Sequence, residues 1–292
     1  MTTSAHFLTR LDQILVYKKG DQRAPHKPLY LLLCIASLQQ GLPRLRKFDE
    51  VSQVLAEALC RFGPRVATVH PEYPFWRLQH DGLAVVEADG PLDQRASNDD
   101  PKVSSLRIQN ARGGLTEPDY KLLLGDLELQ SIAVHKLLDA HFPASIHDEV
   151  LRFFNLVLSD PHSRDNYTER DFRESVLAAY RNTCALTGYS LRFGDAYVGL
   201  EAAHLCWPQV GGNDSVSNGV AMTTLHRKLF HLGMFGINEN YEIHVSSQLQ
   251  ENTKKGLNLG GLHGRKIELP REPENYPSQK NLKWHAKWVF RG

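Results

Sequence analysis

The sequence predicts an α+β protein of two domains, a mainly helical N-terminal domain with a small hairpin and a C-terminal domain built on a strand–strand–helix unit. Three observations predict it. Apolar residues recur at helical spacing through much of the first half. A charged Ser/Asp/Asn/Pro stretch, SDPHSRDNYTERDFRE from Ser159 to Glu174, breaks that pattern and reads as a linker leading into the second domain. Beyond it, LEAAHLCWPQVGGNDSVSNGVAMTTLHRKLFHLGMFGI (Leu200 to Ile237) passes from a short apolar strand through a Gly-rich loop to a second strand and a helix. The expected domains are residues 1–160 and 161–292.

The elements follow in order. Ala5 to Tyr17 is a helix, with Phe7, Leu8, Leu11, Ile14 and Leu15 at helical spacing. KKGDQRAPHKP is a polar loop. LYLLLCIASLQQG is a buried helix, with Pro28 suited to a first turn and Gly41 to a C-terminal stop. Phe48 to Phe62 is amphipathic and helical. Phe75 to Glu87 alternates enough for a hairpin around His80-Asp81-Gly82, and SNDDPK is a loop. Tyr120 to Phe142 holds a short and then a longer helix, and His147 to Leu158 is helical. After the linker, Phe172 to Tyr180 is a helix, Tyr197 to His204 and Asn218 to Met222 are strands, and Leu225 to Leu232 is a helix. Tyr241 to Val245 is a late strand, and NLKWHAKWVFRG is a helical tail.

Composition removes several classes of function. Hydrophobic residues at 41% and charged residues at 23% describe an ordinary globular chain. No apolar run approaches the roughly 18 residues needed to span a bilayer. The opening MTTSAHFLTRLDQ lacks the layout of a secretory leader, so a cytoplasmic location is expected. Cys34, Cys60, Cys184 and Cys206 form no CxxC pair, which argues against a disulfide framework or a four-cysteine zinc site. The net charge is +1, with 16 Lys+Arg against 13 Asp+Glu from Pro161 onward. Bulk charge announces no nucleic acid, so any such contact must come from local patches.

Residues 200–237 contain the parts that phosphodiester cleavage needs, a base to make the nucleophile and a cation to stabilise charge. His204, closing a strand, can accept a proton from water near neutral pH. Asn218, fourteen residues later, can bond a backbone group and hold the loop beside His204. His226 and His231 are the expected metal positions. Five residues turn by about 140° net round a straight helix, so the two converge easily only if His226 precedes or caps it.

This segment resembles the HNH endonuclease family with its ββα-metal fold, over roughly Tyr180 to Ile237. It is most like the branch in which a CALTG-like turn, an LEAAH strand and an LH…LF..G.F helix occur together. The resemblance implies His204 as general base, Asn218 as orienting residue, and His226 and His231 as ligands of a divalent metal (Mn, Mg, Co, Ni or Zn). Two departures stand out. Many members place a metal ligand directly before the base histidine, where this chain has Ala203. Glu201, on the same strand face, could supply the missing oxygen. The family's frequent zinc-knuckle cysteines are also absent.

In the first half, RAPHKPLYLLLCIA and HPEYPFWRL (His70 to Leu78) resemble the sulfur-binding domain of McrA-like, phosphorothioate-dependent restriction endonucleases. The resemblance implies binding of double-stranded DNA in which sulfur replaces a non-bridging phosphate oxygen. Sulfur is larger, softer and less hydrated than oxygen, so an apolar dent edged by donors suits it. Tyr73, Pro74 and Pro25 could form the dent, and Arg23, His26, Lys27 and Arg77 the donors. A further basic residue, Arg95, Lys102 or Arg107, could complete the ring. The expected protein is therefore a modification-dependent restriction endonuclease acting as a homodimer, because one nuclease hairpin cuts one strand. Two alternatives are an HNH nuclease directed to methylated or hydroxymethylated bases, and an inactive DNA-binding protein that keeps the fold.

Overall fold

A computed structural model describes residues 3–19, 22–159, 167–251 and 258–292, with the backbone alone for 17–19, 22–23 and 167–170. Contacts divide the chain into two compact units, Met1–His162 and Ser163–Gly292. Residues 160–166 of the expected linker lie outside the described residues, and its later part, from Tyr167, is helical.

The first unit runs α1 (Ser4–Asp12), β1 (Tyr17–Lys19), β2 (Gln22–Ala24), α2 (His26–Gln39), β3 (Arg46–Lys47) and α3 (Phe48–Phe62). It continues with α4 (Glu72–Arg77), a 3-10 turn (Leu78–Asp81), β4 (Ala84–Glu87), β5 (Gln94–Arg95), β6 (Asn98–Pro101) and α5 (Val103–Ile108). It ends with β7 (Arg112–Leu115), α6 (Glu117–Leu123), α7 (Leu127–His141) and α8 (His147–Phe154). Helix α2 is buried at every residue from Pro28 to Leu38, as an all-round apolar helix must be. It packs against α3, α4, α7 and α8 and forms the axis of this core. Gly41, at φ +67°, ends it in the left-handed conformation that suits glycine.

Several expectations change here. Helix α1 stops at Asp12, and Tyr17 belongs to a strand paired with Ala24. The expected hairpin over Phe75 to Glu87 does not form. Its first half is α4, because Pro74 sits in the first turn, where proline costs no intrahelical hydrogen bond. Its second half, β4, pairs antiparallel with β7, about 28 residues on, within a three-stranded sheet ordered β3-β7-β4. A side chain at Gly113 of β7 would stand 2.7 Å from Phe75 and 2.9 Å from the Tyr30 hydroxyl, so glycine lets this sheet press on α2 and α4. The SNDDPK stretch is not a plain loop either: β6 pairs with β5 in a tight hairpin. Helix α8 ends at Phe154, four residues early, where Asn155 turns left-handed.

The second unit contains α9 (Tyr167–Ala179), β8 (Arg192–Phe193), β9 (Ala196–Tyr197), β10 (Leu200–His204), β11 (Gly219–Thr223) and α10 (Thr224–His231). It closes with β12 (Phe235–Ile237), β13 (Ile243–Val245) and α11 (Gln279–Trp288). Strands β10 and β11 pair antiparallel from Leu200↔Thr223 to His204↔Gly219, and α10 follows directly with Thr223 as its N-cap. The strand expected from Tyr197 is shorter, because Gly199 at φ +74° separates β9 from β10. Val176, Leu200, Ala203, Val220, Phe230, Phe235 and Ile243 fill one core between α9, the hairpin and α10.

Candidate functional site

In the first unit, a cavity of about 420 Å³ brings together five of the residues singled out in the sequence: His26, Lys27, Tyr73, Pro74 and Arg77. The start of α2 supplies His26 and Lys27, and α4 supplies the other three. Leu15, Val16, Leu59, Val66 and Val69 make the wall apolar, and His70 completes the polar edge. Pro25 does not line the cavity; it is the buried N-cap of α2, its carbonyl accepting the Leu29 amide. Arg23 lies in β2, and its side chain is outside the described residues.

The cations at this cavity are held by carboxylates. Lys27 Nζ lies 2.6 Å from Asp81 Oδ2, and Asp81 Oδ1 also accepts the Leu15 amide. Arg77 donates its Nε to Asp100 at 3.0–3.1 Å, with Nη2 closing the bidentate pair. Its guanidinium lies 4.4 Å from the centre of the Tyr73 ring, an attractive cation–π placement. His70 stacks on the same ring at 4.8 Å. Of the three residues left open by the sequence, Arg95 reaches this group. It donates to the Tyr73 hydroxyl at 2.8 Å and to Glu72 Oε1 at 2.7 Å. Arg107 pairs instead with Asp49, and Lys102 precedes α5 as its exposed N-cap.

These bonds raise the pKa of Arg77, chiefly through Asp100, and of Arg95, chiefly through Glu72. Burial, then electrostatic interaction with His70 and Arg77, pushes His26 down to about 4. His26 therefore meets a ligand as a neutral imidazole near pH 7, with one N–H to donate and no charge.

In the second unit, His204 closes β10. Its ring stacks on Phe172 of α9 at 3.8 Å, nearly parallel, and its Nε2 lies 2.9 Å from Asp214 Oδ1. Gly219 allows the stack: a Cβ there would stand 2.9 Å from the Phe172 ring and press on Val176. Asn218 is fully buried and spans the loop. Its Nδ2 donates to Cys206 O at 2.9 Å and Asn213 O at 2.7 Å, while its Oδ1 accepts the Cys206 amide at 2.9 Å.

The expected metal trio is not brought together. Among the described residues no group of three His, Cys, Asp or Glu side chains could hold a metal ion. His226 does not precede or cap α10; it is the third residue of the helix, so the turn between it and His231 keeps their rings apart. His226 Nδ1 lies 2.8 Å from Thr223 Oγ1 and 3.8 Å from Cys184 Sγ. Its Nε2 is buried without a hydrogen-bond partner among the described residues. His231 Nε2 lies 3.3 Å from the backbone oxygen of His204, so that nitrogen carries the hydrogen. Burial, with Arg227, His285 and His204 nearby, holds His231 well below the ordinary imidazole pKa. Glu201 faces Arg173 Nε at 3.3 Å and Arg227 Nη1 at 3.8 Å, not the histidines. Cys184 settles at about 7, because burial, which raises it, is outweighed by hydrogen bonds from His226, Thr187 and two backbone groups.

Sequence reasoning missed the carboxylates: Glu72, Asp81 and Asp100 at the cavity, and Asp214 at His204. Only Asp214 left a local signal, an acidic residue in the Gly-Gly-Asn-Asp loop beside the strand histidine. His285 from α11, another residue without a local signal, is buried and stacks on Phe230 at 3.6 Å.

The two units correspond to a DNA-binding domain followed by a nuclease domain. Residues 4–158 match the ScoMcrA-like DNA sulfur-binding domain, more than half of the chain, and the chain belongs to that family. Residues 184–238 match an HNH endonuclease domain, a class that generally works with a divalent metal. Two solved structures similar to it are the sulfur-binding domains of ScoMcrA and SprMcrA, each complexed with phosphorothioated DNA. The first is 27% identical, with TM-score 0.46, covering 51% of this chain and 95% of that one. The second is 24% identical, with TM-score 0.45, covering 53% and 94%. The type IV phosphorothioation-dependent restriction endonuclease ScoMcrA is 26% identical over 51% of this chain and 32% of its own, with TM-score 0.43. No curated protein matches the chain.

Proposed function

We propose that the chain is a modification-dependent restriction endonuclease that binds phosphorothioate-modified DNA through its first unit and hydrolyses a nearby phosphodiester through its second. The observation that carries this reading is the gathering of His26, Lys27, Tyr73, Pro74 and Arg77 around one cavity in a sulfur-binding-family domain. The apolar wall favours the weakly hydrated sulfur, and the donors at its edge position the phosphate. A bare phosphate oxygen would lose water there and gain little in return.

In the second unit, His204 takes a proton from water, whose oxygen attacks phosphorus as the bond to the 3′ oxygen breaks. Phe172 and the Asn218-pinned loop fix the imidazole for that transfer. A divalent cation, when bound, stabilises charge on the phosphate and the leaving oxygen. His226 fits such an ion as one ligand, because its Nδ1 is held by Thr223 while its buried Nε2 has no hydrogen-bond partner among the described residues. His231 and Glu201 are engaged elsewhere. A double-strand break by a single-hairpin enzyme implies a homodimer or two successive cuts. Among the described residues no helix is long and apolar enough to cross a membrane.

Gel retardation of matched duplexes differing by one sulfur atom tests the binding half. Tighter binding of the sulfur duplex is expected, and equal affinity removes the sulfur claim. Nicking of supercoiled plasmid with Mn²⁺, Mg²⁺, Co²⁺ or Ni²⁺ tests the other half. Ala203 and the dispersed donor set favour a second reading, a DNA-binding protein whose nuclease fold no longer cuts. Equal inertness of wild type and His204→Ala under every metal selects it.

A further inference from the structure

The residue chemistry around His204 carries one step more, resting on the nuclease reading above. The imidazole has two nitrogens, and only one can receive the proton of the attacking water. Nε2 lies 2.9 Å from Asp214 Oδ1. An ionised carboxylate can only accept, so this contact requires the hydrogen on Nε2 and leaves the lone pair of the neutral ring on Nδ1.

The loop is built to hold that carboxylate in place. Asn218 grips the carbonyl of Asn213, the residue before Asp214, and also both backbone groups of Cys206 at the other end of the loop. Ser215, the residue after Asp214, donates through its hydroxyl to Asn213 Oδ1 at 2.8 Å. Asp214 is thus bracketed by bonds on each side while its own side chain, about half exposed, turns to His204. A solvated ion pair with no further purpose would need no such bracing.

We propose that Asp214 is the positioning residue of the nuclease centre: its carboxylate fixes His204 with hydrogen on Nε2 and makes Nδ1 the proton-accepting atom. Asn218 then acts through Asp214 as well as through the strand end. As the proton from water arrives on Nδ1, the ring becomes a cation, and the carboxylate stabilises that charge. Among the described residues, Asp214 from the loop and Phe172 from α9 contact the His204 ring, and His231 from α10 bonds the His204 carbonyl.

The test is steady-state cleavage of phosphorothioate plasmid by the full chain as wild type, Asp214→Asn, Asp214→Glu and His204→Ala. Asp214→Asn should lower kcat on the order of a hundredfold, within the range of general-base effects, with KM and gel-shift affinity unchanged. Asp214→Glu should recover part of the rate, and the melting midpoint of each variant shows that it is folded. An Asp214→Asn enzyme with wild-type kcat overturns the proposal while His204→Ala, if inert, leaves the nuclease reading intact. A loss confined to DNA affinity, or one repaired by more metal, also overturns it in favour of a contact or ligand role. A wild type that cuts nothing removes both.

Discussion

At the scale of single residues, the cavity of the first unit is governed by its counter-ions. Arg77 is committed to Asp100, a nearly buried carboxylate, and lies 4.4 Å from the centre of the Tyr73 ring. Asp100→Asn keeps a polar partner but removes the negative charge. That variant should bind DNA with a steeper salt dependence, the slope of log K against log salt growing by about 0.9 for each phosphate newly contacted. Its preference for sulfur over oxygen should stay the same, because added attraction favours both duplexes alike. An unchanged slope in salt titrations by gel retardation would show that Arg77 already spends its charge on DNA. The participants on the cation side were legible in the sequence, since His26, Lys27, Tyr73, Pro74 and Arg77 sit in two short phrases. Their partners were not, because Asp81 and Asp100 come from separate stretches that the fold folds back. The same holds for His285, whose stacking partner Phe230 is 55 residues away.

At the scale of elements, periodicity identified helices well and strand partners poorly. The fifteen residues of α3 and the buried run of α2 follow directly from apolar spacing and end signals. The alternation over Phe75 to Glu87 misled, because a proline in a helix's first turn and a distant sheet partner leave no local mark. The histidine hairpin was readable as strand, loop, strand and helix. The angular cost of a five-residue spacing was readable too, and α10 incurs it because His226 lies inside the helix rather than ahead of it. Gly219 is the element-level hinge of this site, since its missing side chain admits Phe172 against His204. Gly219→Ala should destabilise the second unit by roughly 1–3 kcal/mol, as overpacking of a tight site does. It should also slow cleavage by tilting the imidazole. Thermal melting together with plasmid nicking checks both, and a variant with wild-type melting and rate would show that α9 yields without cost.

At the scale of the whole molecule, two units with separate cores divide the labour. Residues 1–162 contain the complete cavity, and residues 163–292 the whole histidine hairpin. Expressed alone, residues 1–162 should fold cooperatively and keep the discrimination between sulfur and oxygen duplexes while cutting neither. Circular dichroism melting and gel retardation measure this, and a fragment that fails to melt cooperatively would show that the division is not one of folding. The near-balance of charge over the chain, +1 in total, agrees with a protein that does not cling to nucleic acid indiscriminately. The paired cations of the cavity extend that restraint to the contact itself. Lys27, Arg77 and Arg95 each come with a carboxylate of their own, so an unmarked duplex finds little pull and leaves soon. A scarce chemical tag can then be sought by many brief visits, with patience reserved for the one backbone position that rewards it.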